Sequence, residues 1–248
     1  MRSSSLEAIF YALKYKTLKL EGGYKAYRNY IMEHLPEKNE GIKYVVLHGR
    51  TGVGKTKILE KLAERGYSVM DLEKMADHKG SFFGALCEKR KQSQKRFESE
   101  VYQHLSNNQT GYVLVESESK RIGDIYLPEV IHDSILNGIH IIVDTSMENR
   151  VKIIMEDYSG ARKEELKECL DKVGRYISKE RYEKYNALLE ENKLEELSEI
   201  LMEKYYDPLY DMSINKYEYK DKIFYNTIEE AVDKIADYLL RKRFITKL

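Results

Sequence analysis

"GRTGVGKT", residues 49–56, decides the fold. It fits the phosphate-cradling pattern G-x-x-x-x-G-K-[ST]. The stretch before it, "KYVVLHG" (43–49), is a short apolar run rich in β-branched residues and predicts a buried strand. The stretch after it, "KTKILEKLAERG", predicts a helix closed by Gly66. Each part has a physical reason. Glycines let backbone N–H groups face an anion with no Cβ in the way, and the helix N-terminus adds a partial positive charge. Gly49, Thr51, Gly52, Val53 and Gly54 are the predicted cradle; Lys55 is expected to reach the terminal phosphates and Thr56 to hold Mg²⁺. Such a loop reads phosphate alone. A kinase, an NTPase and a diphosphate-using transferase therefore all stay open.

Working outward, four more strands are expected: "YSVMDL" (67–72), "YVLVES" (112–117), "IHIIVDT" (139–145) and "KIFYN" (222–226). The last leads into "TIEEAVDKIADYLLRKR", where Thr227 and Glu230 have capping-box spacing. Strands alternating with helices predict an α/β fold of the P-loop NTPase type, a parallel sheet of about five strands with helices on both faces. Residues 160–205 break the alternation. They are charged, with Leu and Tyr at helical spacing, and predict a helical insertion packed on the sheet, either a lid or plain structure. Upstream, "SSSLEAIFYALKY" places Leu6, Ile9, Phe10 and Leu13 on one helical face, "TLKLEGGY" alternates like a strand, and "YKAYRNYIMEHL" predicts a helix stopping at Pro36.

The chain has 248 residues, room for one large or two small domains. Its 42 basic and 42 acidic side chains cancel, so any polyanion site must be a local patch. Cys87 and Cys169 show neither metal spacing nor a disulfide framework, and a reducing cytoplasm is expected. No apolar run approaches a membrane span.

A phosphate site that uses a metal needs a carboxylate at a strand end. Asp71, Glu116 and Asp144 are the candidates, with Glu116 favoured because Glu118, Lys120 and Arg121 follow closely; Asp71 is retained as a second ligand. Arg150, near the start of the helix after "IHIIVDT", would close on a phosphate or form a surface ion pair.

Four further stretches, in this order behind the loop, carry a resemblance: "VMDLEKMADHKGSFFG" (69–84), "QSQKRFE" (92–98), "VLVESESKRIGDIYLP" (113–128) and "YYDPLY" (205–210). Together they resemble the C-terminal P-loop domain of tRNA 2-selenouridine synthases. The resemblance implies geranyl transfer from geranyl diphosphate to the sulfur of 2-thiouridine at the tRNA wobble position, then replacement of that sulfur by selenium from selenophosphate. The loop would hold the diphosphate, with Mg²⁺, although ATP or GTP would fit the same pattern. It also implies substrate-side roles for Asp71, Glu73, His78, Gly80, Ser81 and Gly84, for Ser93, Gln94, Arg96 and Glu98, and for Glu116, Glu118, Ser119, Arg121 and Gly123. The basic run "EKRKQSQKR", with Lys89, Arg90, Lys91, Lys95 and Arg96, would meet tRNA phosphates or be a solvated helix face.

The chain departs from the family pattern in places. Lys91 and Gln92 stand where Gln-Pro is common, Ser117 where Asp is common, and Val53 where Ser is common. The rhodanese domain usual at the family's N-terminus, with its Cys-x-Arg-Gly-Gly loop, is absent, and neither Cys87 nor Cys169 replaces it. Residues 1–23 resemble the helix and strand that follow that loop, and 24–248 the P-loop domain. This implies a separate rhodanese-like polypeptide completed in trans by residues 1–23, its thiolate lying near Arg2 and Ser3; the alternative is that Leu6, Ile9, Phe10 and Leu13 fold back on this chain's own sheet.

Overall fold

The computed structural model describes residues 2–78 and 92–244. Four strands form one parallel sheet: β1 (Lys43–His48), β2 (Tyr112–Glu116), β5 (Ile139–Asp144) and β6 (Asp221–Phe224), in the order β2-β1-β5-β6. In register, Leu47 lies beside Glu116 on one side and beside Ile141 on the other. The carboxyl ends of β1 and β2 therefore open together, where the loop after β1 begins. Alternation along β1 divides the core. Val45 and Leu47 pack with helices α3 (Lys55–Glu64) and α12 (Ile228–Arg241) on one face. Tyr44 and Val46 pack with α2 (Gly23–Asn39), α5 (Gln94–Ser106) and α6 (Glu129–Leu136) on the other.

The expected strand over 67–72 is reduced to one parallel bridge, Val69 to Leu114, on the outer edge of β2. Asp71 ends it: its side chain accepts from the Lys74 N–H and caps the short helix α4 (Leu72–Met75). Among the described residues the sheet is thus four strands plus a bridge. Pro36 does not stop α2, which runs on to Asn39. Leu35 and Asn39 are buried on either side of it, and this packing outweighs the one helical hydrogen bond that proline removes. The alternating stretch near residue 18 forms no strand in the described chain, and Leu18 is fully exposed. A lone strand with no edge to pair does not persist. It follows α1 (Arg2–Ala12), on which Leu6, Ile9 and Phe10 are all exposed.

The helical insertion is α8 (Lys163–Gly174), α9 (Lys179–Glu190), α10 (Leu194–Leu201), a π-helical turn (Met202–Tyr206) and α11 (Asp207–Ile214). It has its own core, built on Leu166, Leu170, Leu189 and Leu201, and joins the sheet domain through Ile154 of α7 (Met147–Asp157). At the far end, Thr227 accepts from the Glu230 N–H, while the Glu230 carboxylate reaches back to the Asn226 N–H.

Candidate active site

The loop from Gly49 to Gly54 wraps the N-terminus of α3. Gly52 and Gly54 have φ of +80° and +66°, which other residues rarely adopt. A Cβ on Gly52 would also meet Ile154 Cδ1 and Met202 Sδ at 3.1 Å, so the insertion packs directly on the loop. Val53 is fully buried, and its carbonyl accepts from the buried Tyr225 hydroxyl.

Lys55 Nζ donates to the Gly49 carbonyl at 3.1 Å and lies 4.0 Å from Glu116. Burial lowers its pKa, but Glu116, Tyr210, Glu73 and Glu118 outweigh that and hold it above the usual lysine value. The Thr56 hydroxyl donates to Glu116 at 2.7 Å. Glu116 closes β2 beside Leu47; Glu118 follows two residues on, and α4 brings in Glu73. Oxygen atoms of Glu73, Glu116 and Glu118 all lie within 4.8 Å of one another. Burial pushes the Glu116 carboxyl up to about 7 against the pull of Lys55, and the neighbouring Glu73 adds to the rise. Burial, Glu73 and Glu116 raise Glu118 well above the usual carboxylate range. Three carboxylates crowded beside a threonine hydroxyl are the donor set a hard divalent cation takes, and its charge would relieve their repulsion. Asp71, expected in this set, instead spends a carboxylate oxygen on capping α4, and so presents Glu73. Asp144 turns back on the Thr145 N–H.

A cavity of about 350 Å³ opens over these groups. Its polar wall is the loop with Glu73, Glu116 and Glu118; Ile153, Ile154, Tyr158, Tyr210 and Ile214 supply an apolar wall. Tyr210 sets its ring 5.7 Å from Lys55 Nζ.

Several residues expected at the substrate are spent on structure. Arg150 is buried. Its guanidinium donates to Asp207 at 2.6 and 2.9 Å and to the Thr51 carbonyl at 2.9 Å, so it anchors the loop and α11 rather than waiting for phosphate. Buried Glu98 receives both arms of Arg28. Gln94 pairs with the backbone of Tyr126, giving and receiving at 2.8 Å. Ser93 caps α5, and Arg96 pairs with Glu100. Arg121 lies at the start of a small hairpin, β3 (Arg121–Ile122) with β4 (Ile125–Tyr126), and donates to the Gly123 carbonyl; Ser119 donates to the Arg121 carbonyl. A Cβ on Gly123, whose φ is +56°, would strike the His78 ring at 2.6 Å, so these two expected residues do meet. Lys95 is exposed on α5. Gly80, Ser81, Gly84, Cys87, Lys89, Arg90 and Lys91 lie outside the described residues; Cys169 is buried in the core of the insertion.

Two features escaped the sequence reading. Arg50 and Arg150 pair with Asp211 and Asp207, one helical turn apart on α11; the signal was the Asp-x-x-x-Asp spacing in "YYDPLYD". At the end of β1, His48 lies 2.8 Å from His140, ring to ring, with Tyr217 and Tyr219 packed around it. Burial first, then His140 and Lys55, drives the His48 pKa down to about 3.

A model of the tRNA 2-selenouridine synthase AAA domain matches residues 42–243. Among curated proteins, a tRNA 2-selenouridine synthase from Sulfurovum sp. is 33% identical over 61% of this chain and 41% of its own length. One from Hydrogenovibrio crunogenus is 35% identical over 57% of this chain and 40% of its own length. The match therefore spans about two-fifths of these relatives. A shikimate kinase from Acinetobacter baumannii, solved with shikimate, aligns with 84% of this chain and 98% of its own at 18% identity and a TM-score of 0.35, too loose a likeness to bear on function.

Proposed function

This chain belongs to the tRNA 2-selenouridine synthase AAA domain family, and from that premise we propose that it is the transferase part of a tRNA-modifying enzyme. The loop holds the diphosphate of geranyl diphosphate, and the acceptor is the sulfur of 2-thiouridine at the tRNA wobble position. The sulfur attacks the first carbon of the geranyl group, the carbon–oxygen bond breaks, pyrophosphate leaves, and the N3 proton of the thiouridine is given up to water. Charge grows on the leaving diphosphate as that bond breaks. Lys55 and the N–H groups of the loop are placed to meet it. The observation that carries this reading is the gathering of Glu73, Glu116 and Glu118 beside Thr56 and Lys55, under a cavity with one apolar wall.

Thr56 and Glu116, with Glu73 and Glu118, are the residues that would hold Mg²⁺, which supplies Lewis-acid stabilisation of the diphosphate when bound. Ile153, Ile154 and Tyr158 line the apolar wall, suited to a prenyl chain, and exclude water around the reacting carbon. Selenium from selenophosphate would enter in a second stage. That stage draws on a separate rhodanese-like protein, docked through the exposed apolar face of α1.

Mass spectrometry of 2-thiouridine tRNA incubated with this protein, Mg²⁺ and geranyl diphosphate tests the reading. The expected product gains one geranyl group. Stabilisation by ATP but not by geranyl diphosphate, with the tRNA unchanged, would move the site to the kinase or NTPase class.

A further inference from the structure

A ribbon of half-exposed aromatic rings, interleaved with cations, runs from α2 across the N-terminus of α5 to the β3–β4 hairpin. At one end, Tyr30 stacks on His34 with ring centroids 4.0 Å apart and leaves half its surface to solvent. Next comes Tyr24, 46% exposed; its hydroxyl bonds the Lys95 carbonyl, and Lys95 Nζ lies 5.6 Å from its ring. Gln94, the neighbour of Lys95, holds the Tyr126 backbone at 2.8 Å in both directions. Tyr126 is 53% exposed and carries the Arg121 guanidinium 5.5 Å from its ring. Arg121 is three residues from Glu118, so three residues of chain join the ribbon to the carboxylate cluster.

We propose that this ribbon binds unpaired nucleotides of RNA and leads one of them to the carboxylate cluster; the proposal rests on the reading that the acceptor is a tRNA nucleotide. Two properties of the ribbon select RNA. Each exposed ring offers a π-face on which a base stacks, a contact that every base can make and that an acidic peptide cannot. Lys95 and Arg121 each lie over one face of a ring, Tyr24 and Tyr126, and leave the other face to a base while their charge meets a neighbouring phosphate. Two acidic groups along the ribbon are already engaged. Glu98 is buried against Arg28, and Asp124 holds Arg121 in an exposed pair at 3.3 Å, which a phosphate displaces at little cost. The Tyr24 ring and the backbone carrying Tyr126 are also held before any ligand arrives, because hydrogen bonds at Lys95 and Tyr126 tie α2, α5 and the hairpin into one surface. Little ordering entropy would then be lost on binding.

The test is fluorescence anisotropy with a labelled anticodon stem-loop RNA, across a salt series, alongside calorimetry with inorganic pyrophosphate and Mg²⁺. Tyr30→Ala with Tyr126→Ala should weaken RNA binding by about 10-fold or more, with the slope of log affinity against log salt unchanged, because stacking releases no counterions. Lys95→Ala with Arg121→Ala should weaken it and flatten that slope by about 1.4. Pyrophosphate binding should be intact in both variants, which also reports that they are folded. Tyr176→Ala, on the insertion, should bind RNA like the parent. RNA binding unchanged in both double variants would overturn the proposal, as would polyglutamate binding equal to RNA. A wild-type protein that takes pyrophosphate but no RNA would overturn the ribbon and leave the diphosphate reading standing. Loss of RNA binding in the aromatic variant alongside a parent that transfers nothing would support the ribbon and count against the transfer reading alone.

Discussion

Two charged clusters flank the same phosphate loop, and they are balanced in opposite ways. On the insertion side, each charge meets its opposite: Arg150 with Asp207 and Arg50 with Asp211. On the β2 side, three carboxylates face one another with Lys55 as their near cation. The first cluster is complete as it stands, and its geometry fixes the loop to α11. The second is left strained, with Glu116 raised to about 7 and Glu118 higher than any ordinary carboxylate. Buried carboxyls shifted this far beside a cavity are candidates for a binding site. The comparison assigns structure to one side of the loop and chemistry to the other.

The largest expected effect would break that assignment if absent. Asp207→Ala leaves Arg150, 3% exposed, without its carboxylate. It should cost on the order of 3–5 kcal/mol in a chemical melt, because an unpaired charge stays buried. Next is Lys55→Ala, which should lower geranyl transfer by about 10²–10³ in a protein that still folds, with some stability lost because the carboxylates lose their near cation. A folded variant with normal turnover would remove the loop from the diphosphate.

The pH dependence separates the clusters further. Folded Glu116 holds its proton more tightly than an ordinary carboxyl of 4.5. Its protonation therefore favours folding at low pH, and that contribution is lost as pH rises through about 7. In metal-free protein, Glu116→Gln should gain on the order of 1–3 kcal/mol over the parent at pH 8 and little at pH 4. His48 runs the other way. It stays neutral in the fold to about 3, so stability should fall as pH drops from 6.5 toward 3. His48→Phe should flatten that acid limb in a pH series of thermal melts. The smallest effect belongs to Arg50→Ala. Both partners of its pair are 38% exposed, and removing it should cost about 0–1 kcal/mol, small beside Asp207→Ala.

What the sequence disclosed follows the range of the interactions concerned. The phosphate loop is local, eight residues whose types and spacing carry their own chemistry, and it lies between β1 and α3 as expected. The runs at 43, 112 and 139 became strands because a buried parallel strand is apolar on both faces, whereas the run at 222 pairs with β5 at the sheet edge and buries Ile223 alone. The run at 67–72 lies at the sheet edge with β2 alone to pair with, and Asp71 turned it into a helix cap after one bridge. Arg150 forms an ion pair, one of its two expected roles, but a buried one, and the burial was not legible because its partner lies 57 residues away on an insertion whose packing no local pattern announces. Glu73 and Glu118 were visible as residues, but their approach needs α4 and β2 folded side by side.

The central claim is that the loop and the carboxylate cluster act as one diphosphate site. Calorimetric titration of geranyl diphosphate, with and without Mg²⁺, into wild type, Lys55→Ala and Glu116→Gln tests it most directly. The account predicts that Mg²⁺ tightens binding to wild type, that Lys55→Ala weakens it about 10-fold or more, about 1.4 kcal/mol, and that Glu116→Gln loses the Mg²⁺ dependence. Equal binding by all three proteins, or binding indifferent to Mg²⁺, would contradict it.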